Sequence, residues 1–161
     1  MDSEYDERPY RANRERWSNQ RGRRFTMIVV AAVDGSQHTK AVVDAAVRYA
    51  GDGEIHLVYV TAYYIYTYGA LDGGPPVDFE RLQRGQAEAV WAEVGDLPAN
   101  ARTVTLEGGA ASTIVDYAES VDADLIVIGS RGRGAIGSLL LGSVSHGVVH
   151  AAHCNVLIVR T

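Results

Sequence analysis

The stretch "DLIVIGSRGRGAIGSLLLGSVSHGVVHAAHCNVLIVR", residues 124–160, decides the fold. After Asp124 it opens with the apolar run "LIVIG", which reads as a strand buried on both faces. A glycine-rich loop follows: Ile126 to Val149 holds six glycines, Arg131 and Arg133, and no acid. Val144, Val148, Val149 and Ala152 then recur at helical spacing, and "NVLIVR" (155–160) is a last apolar strand. Strand, loop, helix and strand in this order form a βαβ unit, whose two strands run parallel.

The rest of the chain repeats the alternation. "FTMIVVAAV" (25–33) reads as a strand buried on both faces, and Asp34-Gly35-Ser36 turns the chain, with Ser36 placed to cap a helix. Val42, Ala45, Ala46 and Tyr49 mark that helix over 37–50. "EIHLVYVT" (54–61) is the second strand, and 62–77 is a long loop with Tyr63, Tyr64, Tyr66 and Tyr68. Phe79, Leu82, Val90 and Val94 mark a second helix, weakened by Gly85. "RTVTLE" (102–107) alternates as a third strand, and Ile114, Val115, Ala118 and Val121 give a third helix with Asp116, Glu119 and Asp122 on its wet side. The expectation is a single α/β domain: a five-stranded parallel sheet, order 3-2-1-4-5, with helices on both faces. In that order the winding reverses between strands one and four, so Asp34 and Gly129, at their ends, face one crevice where ligands sit.

Bulk properties agree. A chain of 161 residues suits one domain. Residues 1–24 hold seven Arg and five acids with few apolar groups and read as a disordered polar tail, leaving 25–161 as the domain. No apolar run is long enough to span a bilayer and no secretory signal opens the chain, so no membrane partner is expected. Cys154 is the lone cysteine, which fits a reducing cytoplasm, and it reads as a small buried hydrophobe. Residues 25–124 carry a net charge of −10 and residues 125–161 a net charge of +3 with no acid. An acidic protein does not generally attract nucleic acid. The positive charge gathers at the loop, as a small anionic ligand would want.

Glycines let backbone amides approach a phosphate and adopt positive φ. The helix beginning near Gly142-Ser143 turns unpaired amides toward the same place, and Arg131 and Arg133 add fork-shaped donors. Ser143 is placed to cap that helix and still offer its hydroxyl. The plain alternative is a floppy connection to an ordinary capped helix. "GRGAIG" (132–137) fits G-x-G-x-x-G, but a dinucleotide site also needs an acid about 20 residues further on. No acid follows Asp124. A P-loop needs a lysine after its glycine, and the only lysine is Lys40. Paired acids for a phospho-acceptor and a G-x-S-x-G elbow are also missing.

Gly129-xx-Gly132, nine residues, then Gly142-Ser143 resembles the signature of the universal stress protein family, in its ATP-binding branch. The resemblance covers about residues 25–161 and includes "VAAVDGS", "HLVYVT", "DLIVIGSRGRG" and the closing "GSVSHGVVHAAHCNVLIVR". Asn155 stands where the family often has proline. The resemblance implies the same strand order and an ATP in the crevice. It implies Ala32, Val33 and Asp34 near adenine and ribose, with Val60 offering backbone contacts to the base. Ile128, Gly129, Arg131, Gly132 and Arg133 would line ribose and phosphates, joined by Gly142, Ser143, Val144 and Ser145. Asp34 would hold ribose or approach a Mg²⁺ ion; otherwise it is a turn residue bonding its own backbone.

His146, His150 and His153 fall on one helical stripe, where a pair at i and i+4 can bind a transition metal but a half-wet face is the ordinary explanation. His38 and His56 read as surface or strand residues. The loop tyrosines suit either a lid over adenine or a partner subunit. "VLIV" at the sheet edge invites pairing with a second chain, and the resemblance also points to a homodimer. The leading expectation is therefore a cytoplasmic, ATP-binding stress-response regulator and at most a slow ATPase, since no clear general base stands beside a positioned water. Two alternatives remain: a dimeric interaction module of the same fold that holds no nucleotide, and a dinucleotide-dependent enzyme.

Overall fold

The computed structural model describes residues 26–61, 79–132 and 141–160. The tail expected over 1–24, the tyrosine-bearing loop, Arg133, Gly134 and Gly137 lie outside the described residues. The elements are β1 (Ile28–Ala32), α1 (Thr39–Ala50), β2 (Glu54–Thr61), α2 (Phe79–Val94), β3 (Ala101–Glu107), α3 (Ala110–Ser120), β4 (Leu125–Gly129), α4 (Ser143–Ala151) and β5 (Asn155–Val159). They build one five-stranded sheet, order β3-β2-β1-β4-β5, in which every pairing is parallel. Fold class and strand order are those expected from the sequence.

The continuous apolar runs are explained by burial on both faces. Along β1, Val29 and Ala31 face a cluster with Val42 and Ala46 of α1 and Val90 of α2. Val30 faces the opposite cluster, with Ile114, Val115 and Ala118 of α3 and Val148 of α4. Thus α1 and α2 cover one face, and α3 and α4 the other. The edges differ. On β3 Arg102, Thr103, Thr105 and Glu107 are exposed, whereas β5 from Val156 to Val159 is half-buried. β5 begins at Asn155, in register with Leu125.

Several local readings are corrected. Helix α1 starts at Thr39, with His38 as its N-cap residue. Ser36 does not cap it; its hydroxyl oxygen accepts the His38 N–H at 3.3 Å and its carbonyl the Thr39 N–H at 2.9 Å. Tyr49, Leu82 and Val149 are exposed, at 53%, 48% and 49%. Each lies off the centre of its helix's buried stripe, which spacing alone does not locate. Val121 is the residue that ends α3, half-buried. Helix α4 ends at Ala151, so His153 falls outside it, while His146 and His150 are exposed. Cys154 is half-buried against the second cluster, and burial pushes its thiol pKa up, which suits the role of a small hydrophobe.

His56 is a strand residue, but it is fully buried, at 1% exposure. The Tyr117 hydroxyl at 3.2 Å and an Arg102 guanidinium nitrogen at 3.4 Å both face its Nδ1. The Glu54 carboxylate lies 3.4 Å from Nε2. Donors at Nδ1 and an acceptor at Nε2 suit a neutral ring carrying its proton on Nε2. Burial, with help from the Arg102 cation, holds the His56 pKa below 6.5, against the pull of Glu54. The unfolded chain therefore binds this proton more readily than the folded one. Stability contributed by the neutral ring is full above the unfolded value and is lost as pH falls from there through the folded pKa. Urea denaturation from about pH 8 to about pH 5 should show the wild type losing stability more steeply than His56→Gln. Equal slopes would exclude His56 as the source.

Candidate functional site

The pairing Ala32↔Ile128 brings the tips of β1 and β4 side by side. Beyond them the chain turns to α1 on one face and, after the glycine loop, to α4 on the other. Between the two paths lies a cavity of about 320 Å³. Its walls come from Ala32, Val33 and Asp34 after β1, from Val60 on β2, and from Ile128, Gly129, Arg131 and Gly132 at the end of β4. Gly142, Ser143, Val144 and Ser145 at the start of α4 complete that side. Every residue that the sequence reading grouped here lines this one crevice, apart from Arg133, which lies outside the described residues.

Asp34 divides its carboxylate between two surroundings. Oδ1 accepts the Ser36 N–H at 3.0 Å, which closes a turn with Gly35 at φ 66°. Oδ2 packs against the α-carbon of Gly132: a Cβ placed there would stand 2.8 Å from it. Gly132 is therefore glycine because of close approach. None of Gly129, Gly132 and Gly142 has positive φ, so positive φ is not what these loop positions use.

The two ends of the glycine loop are stitched together. Ser130, buried at 3% exposure, donates its N–H to the Val159 carbonyl at 2.8 Å. Its own carbonyl accepts the Gly142 N–H at 2.7 Å and the Ser145 hydroxyl at 3.1 Å. The Ser145 hydroxyl also lies 3.0 Å from the Gly142 carbonyl. Ser145 thus turns its proton inward and braces the first turn of α4. The N-cap of α4 is Gly142, which has no side chain to cap with; Ser143 is the first helical residue and is exposed. The helix consequently presents its first amides to the crevice without a side-chain cap.

The sequence reading missed part of the lining. His38, Thr39 and Val42 of the α1 start, Val58 and Tyr59 of β2, and Ala110 and Ile114 of the α3 start all reach the crevice. Val42 and Ile114 were legible as core residues, and a core residue about one turn into a helix that starts at a crevice also lines it. Nothing local marked His38 as more than a surface residue. Val58, Val60, Ala110 and Ile114 add apolar lining from β2 and α3, and Asp34, His38, Thr39, Arg131 and Ser143 add polar lining. Among the described residues, no group of three or more His, Cys, Asp or Glu is placed to hold a metal.

Replacing Ser145 by alanine should lower stability by ~1 kcal/mol, because a buried hydroxyl with two backbone contacts is removed. Urea denaturation measures this, and an unchanged midpoint would deny Ser145 its bracing role.

A family model described as the universal stress protein family matches residues 26–160. A universal stress protein of Thermus aquaticus is 39% identical over 141 residues, covering 82% of this chain and 97% of the relative. Another, of Methanocaldococcus jannaschii, is 32% identical over 137 residues, covering 82% of this chain and 81% of the relative. Among solved structures, the universal stress protein UspA of Lactobacillus plantarum superposes with a TM-score of 0.64 at 25% identity, covering 86% of this chain and all of that one. A universal stress protein solved in complex with cAMP superposes with a TM-score of 0.54 at 24% identity, covering 84% of this chain and 97% of that one.

Proposed function

The chain belongs to the universal stress protein family, and from that premise we propose that it is an ATP-binding regulatory protein of the stress response. The observation that carries the reading is the mixed lining of the crevice: apolar side chains from β2 and α3, and glycines, uncapped helical amides and Arg131 from the end of β4 and the start of α4. An adenine suits the first and a chain of phosphates the second. The volume, about 320 Å³, falls at the small end of ordinary ligand pockets. A fold neighbour solved with cAMP supports the idea that this fold accommodates an adenine nucleotide.

In this reading Val33, Val58 and Val60 exclude water around the base, and Asp34 holds the ribose. A Mg²⁺ ion at Asp34 would draw its other ligands from phosphate oxygens and water. Gly129, Gly132 and Gly142 let backbone approach the phosphates, while Arg131 and Arg133 supply charge and Ser143 a hydroxyl. Filling the crevice joins the α1 side to the β4 and α4 side, and that joined surface is what a partner or a second copy of the chain then reads. The reducing cytoplasm suits the single thiol.

Isothermal titration calorimetry with Mg·ATP tests the proposal. The wild type should bind, and Gly132→Val should bind at least ~10-fold more weakly while melting within a few degrees of it, since its side chain drives Asp34 aside from an exposed position. Equal affinities would remove the site from this crevice.

We also propose a homodimer formed through β5. Among the described residues this strand pairs with β4 alone, and it is apolar from Val156 to Val159. Leu157→Lys keeps an aliphatic stem against the core and sets a charge on that edge. Sedimentation velocity should show the variant as a monomer and the wild type as a dimer; identical coefficients would rule out this edge.

A further inference from the structure

Thr39 stands out among the buried polar residues. Its side chain is 2% exposed, and its Oγ1 has no hydrogen-bond partner. Ser145, Thr61 and His56 have theirs: Ser145 with the Ser130 carbonyl, Thr61 with the Leu106 carbonyl at 3.1 Å, and His56 with three neighbours. Buried hydroxyls almost always find a partner, so an orphan asks for one. The Thr39 backbone does not supply the reason, because its N–H is already held by the Ser36 carbonyl.

The position of Thr39 indicates where the partner comes from. It is the first residue of α1, a helix of 12 residues whose N-cap residue His38 makes no side-chain cap. Asp34, Arg131 and Gly132 line the same crevice, and Val42, one turn further along α1, packs beneath Gly129. A threonine exchanges hydroxyl and methyl within nearly the same volume by turning about one bond. Thr39 lines the crevice, so such a turn can offer the hydroxyl to it. The positive end of the helix dipole favours an anionic oxygen there.

We propose that Thr39 is a further ligand-contacting residue, whose hydroxyl turns into the crevice and donates a hydrogen bond to a phosphoryl oxygen of the bound nucleotide. This rests on the nucleotide reading above and extends its phosphate site from the glycine loop and α4 to the start of α1. The contact links the two sides of the crevice only when a ligand fills it.

The experiment compares wild type, Thr39→Val and Thr39→Ser by melting without ligand and by calorimetry with Mg·ATP and with adenosine. Without ligand, Thr39→Val should melt at or above the wild-type temperature, because it loses an unpartnered hydroxyl and keeps the shape. Its affinity for Mg·ATP should fall ~10-fold or more, as expected for a hydrogen bond to a charged group. Thr39→Ser should keep most of the affinity, and adenosine binding should be unchanged by Thr39→Val. Wild-type ATP affinity in Thr39→Val would overturn the contact. A lower melting temperature without ligand would mean that the hydroxyl is already partnered, by a buried water for example, and would overturn it as well. An equal loss for adenosine would move the contact to the sugar and overturn the phosphoryl assignment. A wild type that takes up no Mg·ATP would defeat the nucleotide reading itself, an outcome distinct from a wild type and a Thr39→Val that bind alike.

Discussion

The parallel pairing of β1 with β4 is the constraint on which the rest depends. These neighbours hand the chain on to opposite faces of the sheet: α1 leaves β1 on one side, and α4 follows β4 on the other. Right-handed crossovers make this divergence obligatory wherever the winding direction reverses. A gap must therefore open beyond the two tips. The register Ala32↔Ile128 sets Asp34 and Gly132 on its two rims at van der Waals distance. No other adjacent pair of strands in this sheet can form such a gap, since β1, β2 and β3 wind one way and β4 and β5 the other.

The crevice is then furnished by short-range chemistry. Ser130 gathers the chain at the neck of the glycine loop, holding β5 through its N–H and the α4 start through its carbonyl. That arrangement also directs the first amides of α4 at the space that the strand tips leave. Asp34 serves the turn with one oxygen, and its other oxygen packs at the rim against Gly132.

The two sheet edges are handled differently, for a physical reason. β3 carries exposed charged and hydroxylated side chains, which make a poor template for another strand. β5 is short, apolar and half-buried, so its outer backbone groups stand beside surface that gains from being covered. His56 belongs to the guarded side of the sheet: Arg102 and Glu54, near that edge, and Tyr117 of α3 satisfy the ring that the strand pattern obliges the chain to bury.

By itself the sequence determined the alternation of strands and helices, the parallel sheet, and the rims of the crevice. Continuous apolar runs such as "LIVIG" admit few structures but doubly covered strands, and turns such as Asp34-Gly35-Ser36 are written in local residue chemistry. The tertiary structure alone decided which side of each helical stripe meets the sheet. It exposed Tyr49, Leu82 and Val149 and buried Thr39 and Ser145, because helical spacing identifies a face but not the direction from which the neighbouring layer arrives. Only the fold brings His38 and Thr39 into the crevice and encloses His56 between Tyr117, Arg102 and Glu54. Those contacts join residues far apart in the chain, and no local pattern encodes a distance that exists only after the sheet has formed.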